Sequence, residues 1–472
     1  MRAGPSASAP WGPRAPRVRF RPMRSAVLSA YRRGMSWSPI EKDTFLYLCA
    51  TVFAVATIAV AVSADYRLWG EMAAVSYGVG TIVCGVVALA HRRGAIRPAA
   101  LSLVRRLVVV VLVIGAVLVP LVSELVWRAE ARPGANAQSE VAVVERAGDR
   151  LAAGRSPYLA HPTTVGVSPR SDAKSIDANS FYPYLPGMAP FGLANALSGP
   201  AELIDARVTL AGFTLLVGAI TLLWAGATVG RRGRVLQFLV VLPSGALPMV
   251  TGGDDLPVLG LMLAGVVLAA KRRPVLAGLV LGWAATLKFT AWPVLVLMAL
   301  AIRDREGHPA PLRYGGAVAL VAVPVIGVGF ATSPGAFFEN VIRFPLGLAA
   351  VKSPAASPLF GQVLVTVFPD HRRLITAVLV VVAVGLVAYG LRRWMPRTPA
   401  AAVRFTAWAM LLATVLAPAT RFGYLMYPAN LFVWAYLLEG VVPSRGLARA
   451  ANFSVAPGPA VLAGSGAPAA PG

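Results

Sequence analysis

Cysteine is almost absent: the 472 residues contain two, Cys49 and Cys84, both inside apolar runs. That excludes a disulfide framework and a cysteine-ligated zinc site and leaves both as small packing residues. Histidine is nearly as scarce, with four residues, His91, His161, His308 and His371, that show no metal-ligand spacing. Charge is low at 14% of residues, against about 25% in soluble domains. Acids are the scarcer sign, 20 against 44 Lys and Arg. What fills the space is apolar: 57% of the chain is hydrophobic. Disorder of the whole chain is excluded, and a soluble fold with so much apolar side chain would expose large patches. An all-α protein crossing a lipid bilayer several times is the class that remains.

The net charge of +24 suggests nucleic acid until its distribution is read. Lys and Arg sit in short clusters at the ends of apolar runs: His91-Arg92-Arg93, Arg105-Arg106, Arg231-Arg232, Lys271-Arg272-Arg273 and Arg392-Arg393. Clusters so placed orient helices in a bilayer. No basic stripe interleaved with aromatics accompanies them, so no nucleic-acid partner is expected.

Residues 1–42, rich in Arg, Pro and Ser, read as a disordered cytoplasmic tail, and the Gly/Ala/Pro-rich residues 442–472 as another. Between them lies the membrane domain, 43–441. A hydrocarbon core of about 30 Å needs roughly 20 helical residues. Residues 44–64, 72–90, 107–127, 208–229, 314–333 and 374–391 approach or meet this; 235–250, 256–270, 405–418 and 422–438 are shorter but uncharged. The run 275–302 is ambiguous, because Lys288 and Pro293 interrupt it. As one helix it would export the basic clusters at 303–313 and 392–404. As two half-length helices turning at Lys288 it keeps them on the cytoplasmic side, in accord with the positive-inside rule. The expected topology is therefore about twelve passes with both termini inside. It gathers the long loop 128–207, the Gly252-Gly253-Asp254-Asp255 turn, Lys288, the 334–373 loop and Arg421 on the exported face.

The loop opens with Glu140-Val141-Ala142-Val143-Val144-Glu145-Arg146-Ala147-Gly148-Asp149-Arg150-Leu151. Apolar residues at 141, 144, 147, 148 and 151 predict an amphipathic helix on the membrane surface. Gly154 ends it and Pro157 prevents its return. Glu145 and Asp149, four apart, share a face and either solvate an exposed surface, pair with Arg146 and Arg150 or cap the helix, or else carry chemistry. Gly154-Arg155-Ser156-Pro157-Tyr158 follows, and then Phe181-Tyr182-Pro183-Tyr184-Leu185-Pro186-Gly187. Phe337-Phe338-Glu339-Asn340-Val341-Ile342-Arg343-Phe344 reads as a second surface helix.

An acid ahead of Gly-x-x-Pro-Tyr, with a later Tyr-Pro-Tyr-x-Pro turn, resembles the first exported loop of GT-C membrane glycosyltransferases. The likeness is to family 87, the polyprenol-phosphate-mannose-dependent mannosyltransferase-like proteins of actinobacterial type. The stretch from Gly278 through Gly282, Lys288 and Pro293 resembles that family's Gly-x-x-x-Gly-x-x-x-x-x-Lys-x-x-x-x-x-Pro segment. Ala417-Pro418-Ala419-Thr420-Arg421-Phe422-Gly423-Tyr424, with Pro428 beyond, is similar to the Arg and Tyr region opening its last helix. The motifs are individually loose, and they run in the family's order from about residue 107 to 440. Where the family usually carries Asp, this chain has Glu140, which leaves Glu140, Glu145 and Asp149 open as the base.

The resemblance implies a GT-C-like helical bundle that moves a sugar, mannose by likeness, from a polyprenyl-phosphate donor to a glycolipid or glycan acceptor on the outer side of the cytoplasmic membrane. Such a reaction needs a carboxylate to take the acceptor's proton and cations where charge grows on the departing phosphate. Glu140 or Glu145 suits the first role; Lys288 and Arg421 suit the second. Tyr182, Tyr184, Asp254 and Asp255 are the candidate substrate contacts. A lysine within the membrane is a functional hypothesis by default, because its charge is expensive there; the bland alternative pairs it with Asp254 or Asp255. No metal or cofactor is expected. A transporter or flippase for a lipid-linked sugar would instead show paired interrupted helices in two halves, and only 275–302 is interrupted in that way. A GT-C-fold partner without catalysis is the third alternative.

Overall fold

The computed structural model describes residues 37–61, 63–130, 137–159, 178–198, 205–346, 349, 351 and 355–441. The tail at 1–36 and the tail at 442–472 lie outside them. The first helix opens at Pro39, inside the segment 1–42 read as tail, because Ser38 caps it. The Ser38 amide donates to Glu41 Oε2 at 2.6 Å, the Glu41 amide donates to Ser38 Oγ, and Pro39 occupies the first helical position.

The described residues are all-helical apart from one isolated bridge. Eight helices are long and apolar enough to cross a bilayer: α1 Pro39–Val60, α2 Ala64–Arg92, α3 Pro98–Ala129, α5 Ala206–Trp224, α6 Val229–Thr251, α10 Pro309–Thr332, α11 Pro369–Arg393 and α12 Pro399–Leu416. Helix α4, Ser139–Ala152, is amphipathic. Four shorter helices pack among them, α7 Leu256–Ala270, α8 Pro274–Leu287, α9 Trp292–Glu306 and α13 Met426–Leu438, and brief helical segments at Leu193–Ser198, Pro334–Phe337 and Phe360–Val367 lie outside this numbering. Each expected apolar run is a helix, and 275–302 is two. Helix α7 is buried along nearly its whole length and forms the centre, whereas α10 and α11 expose most of their apolar side chains, as lipid-facing helices do.

The break in 275–302 falls at Lys288, whose backbone is extended (φ −149°, ψ 152°). A single turn, Phe289–Ala291, leads into α9. The chain then comes back: Arg305 near the end of α9 donates to the Ala270 carbonyl, just before α8 begins, at 3.0 Å. Lys288 is thus the tip of a hairpin.

The two ends of the bundle differ in charge. At one end Asp43 accepts from Arg105 at 2.5 Å and lies 3.0 Å from Arg234, Glu41 pairs with Arg92, and Glu439 pairs with Arg404 and lies 3.9 Å from Arg231. The basic clusters therefore meet at one end, and Lys288 turns at the other.

The 128–207 loop is bound to that second end by backbone hydrogen bonds. The Gln138 amide donates to the Thr251 carbonyl at 3.0 Å, and the Leu185 amide to the Leu287 carbonyl at 3.1 Å. Helix α4 buries Val141, Val144, Ala147 and Gly148, as its periodicity requires. Gly148 meets the backbone of Gly192, so that neither position has room for a Cβ. Gly192→Ala is expected to lift the Pro186–Gly192 segment off α4 and to cost about 1–3 kcal/mol, visible as a lowered midpoint of thermal unfolding in detergent.

Candidate active site

Three chain segments deliver the acids and cations of the second end. Helix α6 ends at Gly252, whose left-handed φ of 93° turns the chain sharply. Val141 and Arg207 crowd the place where a Cβ would stand there. The turn sets Asp254 and Asp255 at the entry to α7. Arg421 is extended (φ −126°, ψ 145°) and is fixed by its neighbour Thr420. The Ser357 amide donates to the Thr420 carbonyl at 2.8 Å and the Thr420 amide to the Ala355 carbonyl at 3.1 Å.

Lys288 Nζ lies 2.7 Å from Asp254 Oδ1 and 2.6 Å from Asp255 Oδ1. It also stands 5.0 Å from the centre of the Tyr184 ring, a cation–π distance. Burial works against the Lys288 charge, but the two aspartates more than offset it and hold the ammonium well above the usual lysine range. Burial pushes the Asp254 carboxyl up, against the pull of Lys288, and the nearby charges of Asp255 and Glu140 push the same way. The Tyr427 hydroxyl donates to Asp255 Oδ1 at 2.6 Å and pairs with Thr290 Oγ1 at 2.8 Å. Arg421 forms an ion pair with Glu140, whose other oxygen accepts from Ser139 at 3.0 Å. Tyr424 feels the charges of Lys288, Asp255, Arg421 and Asp254 together, which joins the two ion pairs into one cluster. Among the described residues, no group of three or more His, Cys, Asp and Glu is arranged to hold a metal ion.

Glu140, Asp254, Asp255, Lys288, Arg421 and Tyr184 are thus brought together. Tyr182 lines the same corner from behind: its ring meets Tyr184 edge-on at 5.2 Å, and its amide donates to Asn340 Oδ1 at 2.8 Å. Asn340 belongs to the 337–344 segment, which is helical and packs on the loop through Tyr158–Phe337 and Phe181–Phe344 ring contacts.

Glu145 goes elsewhere. It lies five residues beyond Glu140, which turns it about 140° around the helix, into a second network. Its carboxylate takes both Nη atoms of Arg128, at 3.0 and 2.7 Å, and the Ala206 amide at 3.1 Å. Arg128 also holds Asp205 at 2.8 Å, and Asp205 holds the fully buried Arg207. Asp149 is exposed, so it does not share the environment of Glu145 despite the four-residue spacing. Glu145→Gln is expected to cost about 1–3 kcal/mol of stability while leaving the activity per folded molecule nearly unchanged, measured as unfolding midpoint against specific activity.

Tyr66, Gln138, Thr290 and Tyr427 belong to the site without having been marked by the sequence. Tyr66, at the start of α2, bonds Thr251 and feels both Glu140 and Arg421. Each is a polar residue at the same end of an apolar run, a signal too common to select them.

A bundle of apolar helices of this length is that of a multi-pass membrane protein, and the comparisons make the class a membrane glycosyltransferase. Residues 183–418, half the chain, match glycosyltransferase family 87, and the chain belongs to that family. The match contains Tyr184, Asp254, Asp255 and Lys288; Glu140, Tyr182 and Arg421 fall outside it. An alpha-(1->6)-mannopyranosyltransferase A of Mycobacterium tuberculosis is 27% identical over 249 residues, 48% of this chain and 47% of that protein. The chain spans about half the length of this curated relative. No solved structure matches it.

Proposed function

We propose that this protein transfers a hexose, mannose by likeness to its relative, from a polyprenyl monophosphate to a glycolipid or glycan acceptor outside the cytoplasmic membrane. The observation that carries the reading is the meeting of Glu140, Arg421, Lys288, Asp254 and Asp255 from distant parts of the chain in one corner of the bundle. A carboxylate beside two cations is what this reaction requires. Glu140 takes the proton of the acceptor hydroxyl as its oxygen attacks the anomeric carbon. The bond from that carbon to the phosphate oxygen breaks, and the leaving polyprenyl phosphate keeps the electron pair. Arg421 and Lys288 face the charge that grows there. One base and no covalent nucleophile give inversion at the anomeric carbon. Asp254 and Asp255 hold Lys288, Tyr184 forms the wall against the sugar, and Tyr182 backs Tyr184 from the buried side. The apolar helices around the corner receive the isoprenoid in lipid.

Incubating the purified full-length protein with radiolabelled polyprenyl-phosphate mannose and a membrane lipid extract is expected to yield labelled glycolipid. If label moves from none of a panel of polyprenyl-phosphate sugars, the reading is lost. The outward orientation has its own check. With Cys49 and Cys84 replaced, Asp149→Cys, an exposed position on helix α4 at the same end of the bundle, is expected to react with an impermeant thiol reagent from outside intact cells and not from the cytosol.

A further inference from the structure

Both cations offered to the donor phosphate already carry carboxylates. Lys288 holds two and Arg421 one. Three acids face two bases, so the corner is net negative before an anion arrives, and a phosphate gains a cation only by displacing an acid. The two ion pairs are unequal. Lys288 is deeply set, with 13% of its side chain exposed, gripped by two aspartates and covered by the Tyr184 ring, while Tyr427 and Thr290 brace Asp255. Arg421 keeps 32% of its side chain exposed, and among the described residues Glu140 is the one carboxylate within ion-pair reach of it. The pair that yields is Arg421–Glu140.

We infer that Arg421 is a shared cation: it holds Glu140 in the resting protein and releases it to take the phosphodiester of the lipid-linked sugar, so that donor binding frees the base. The inference rests on the proposed transferase reading and adds to it the order of events. In the resting protein Oε1 of Glu140 faces Arg421 and Oε2 accepts from Ser139, so both oxygens are engaged, and turning Oε1 toward an acceptor hydroxyl breaks the Arg421 contact. The donor's phosphodiester, with one charge and two free oxygens for the guanidinium fork, matches a carboxylate in its claim on Arg421, and the second charge it gains as the sugar leaves strengthens that claim. Displacement turns Glu140 toward the acceptor only once the donor is seated. Coupling between two ligands of one group is reciprocal: whatever the Glu140–Arg421 pair contributes to the resting state is subtracted from donor affinity.

That reciprocity separates the shared cation from a base that merely stands nearby. Glu140→Gln keeps the side-chain shape, removes the competing charge and frees Arg421. It is expected to bind a short-chain polyprenyl-phosphate mannose, in detergent micelles without acceptor, about two- to fivefold more tightly than the wild type, the worth of a partly exposed ion pair. Glu140→Ala must shift affinity in the same direction, so that the result does not hang on one variant. Asp149→Asn, which removes an exposed charge from the same helix, is expected to change nothing. Equal or weaker binding by both Glu140 variants overturns the inference. Failure of the transferase reading looks different: the wild type would then bind the uncharged polyprenol as well as the phosphate, and Arg421→Gln would leave phosphate affinity unchanged. Phosphate preference that depends on Arg421 but not on Glu140 keeps the transferase reading and removes the handover.

Discussion

Replacing Lys288 with alanine is expected to abolish sugar transfer and to lower thermal stability together. The ammonium is buried between Asp254 and Asp255, each within 2.7 Å. Without it two carboxylates face each other in a nearly dry turn, and an uncompensated buried charge typically costs about 3–5 kcal/mol. Loss of the cation also removes stabilisation of the departing phosphate, an effect on the order of 10²–10³ in rate for one preorganised electrostatic partner. The two losses separate in a double variant. Lys288→Met combined with Asp255→Asn ends the repulsion between the two carboxylates and is expected to regain part of the stability, read as the unfolding midpoint, without regaining transfer; Asp254 remains a lone buried carboxylate. If Lys288→Met alone kept full activity, the lysine would be a structural strut and nothing more.

Glu140→Gln is expected to reduce turnover by about 10²–10⁴, the usual worth of a general base. Glutamine keeps the shape and cannot take the acceptor's proton. The loss should appear in kcat with the protein still folded, since Glu140 is held by a single ion pair at the rim of the site. Glu140→Asp is expected to retain part of the activity: it restores the residue usual in the family while moving the carboxylate by about 1.5 Å. The sharpest comparison is with Glu145→Gln, five residues along the same helix. A deep loss of turnover at 145 and none at 140 would reverse the assignment of the base. That outcome conflicts with the place of Glu145, whose oxygens are already taken by Arg128 and the Ala206 amide.

Much of this architecture was open to local reading. Apolar runs require helices, because a backbone in lipid must satisfy its own hydrogen bonds. The break at Lys288 follows from a charge at mid-run, and the hairpin follows from the basic clusters that a single crossing would have exported. Helix α4, four of the five positions expected on its apolar face and its end before Gly154 follow from periodicity and from glycine's tolerance of a left-handed turn, whereas Leu151 is exposed and Val143 and Glu145 are buried because the helix packs on more than one side. What could not be read was the partner of each charge. Glu140 and Arg421 are 281 residues apart, and Lys288 is 33 and 34 residues from its two aspartates.

The sequence by itself determined that the chain is a helical membrane protein, where its helices lie, and which few polar residues stand at their ends, since these follow from hydropathy over short windows. Only the tertiary structure decided that Glu140 faces Arg421 while Glu145 faces Arg128, and that Tyr66 and Tyr427 join the site. The physical reason is that helix formation is settled by hydrogen bonds four residues apart. Ion pairing depends on how distant helices pack, and a turn of about 100° per residue sends two acids of one helix into separate networks.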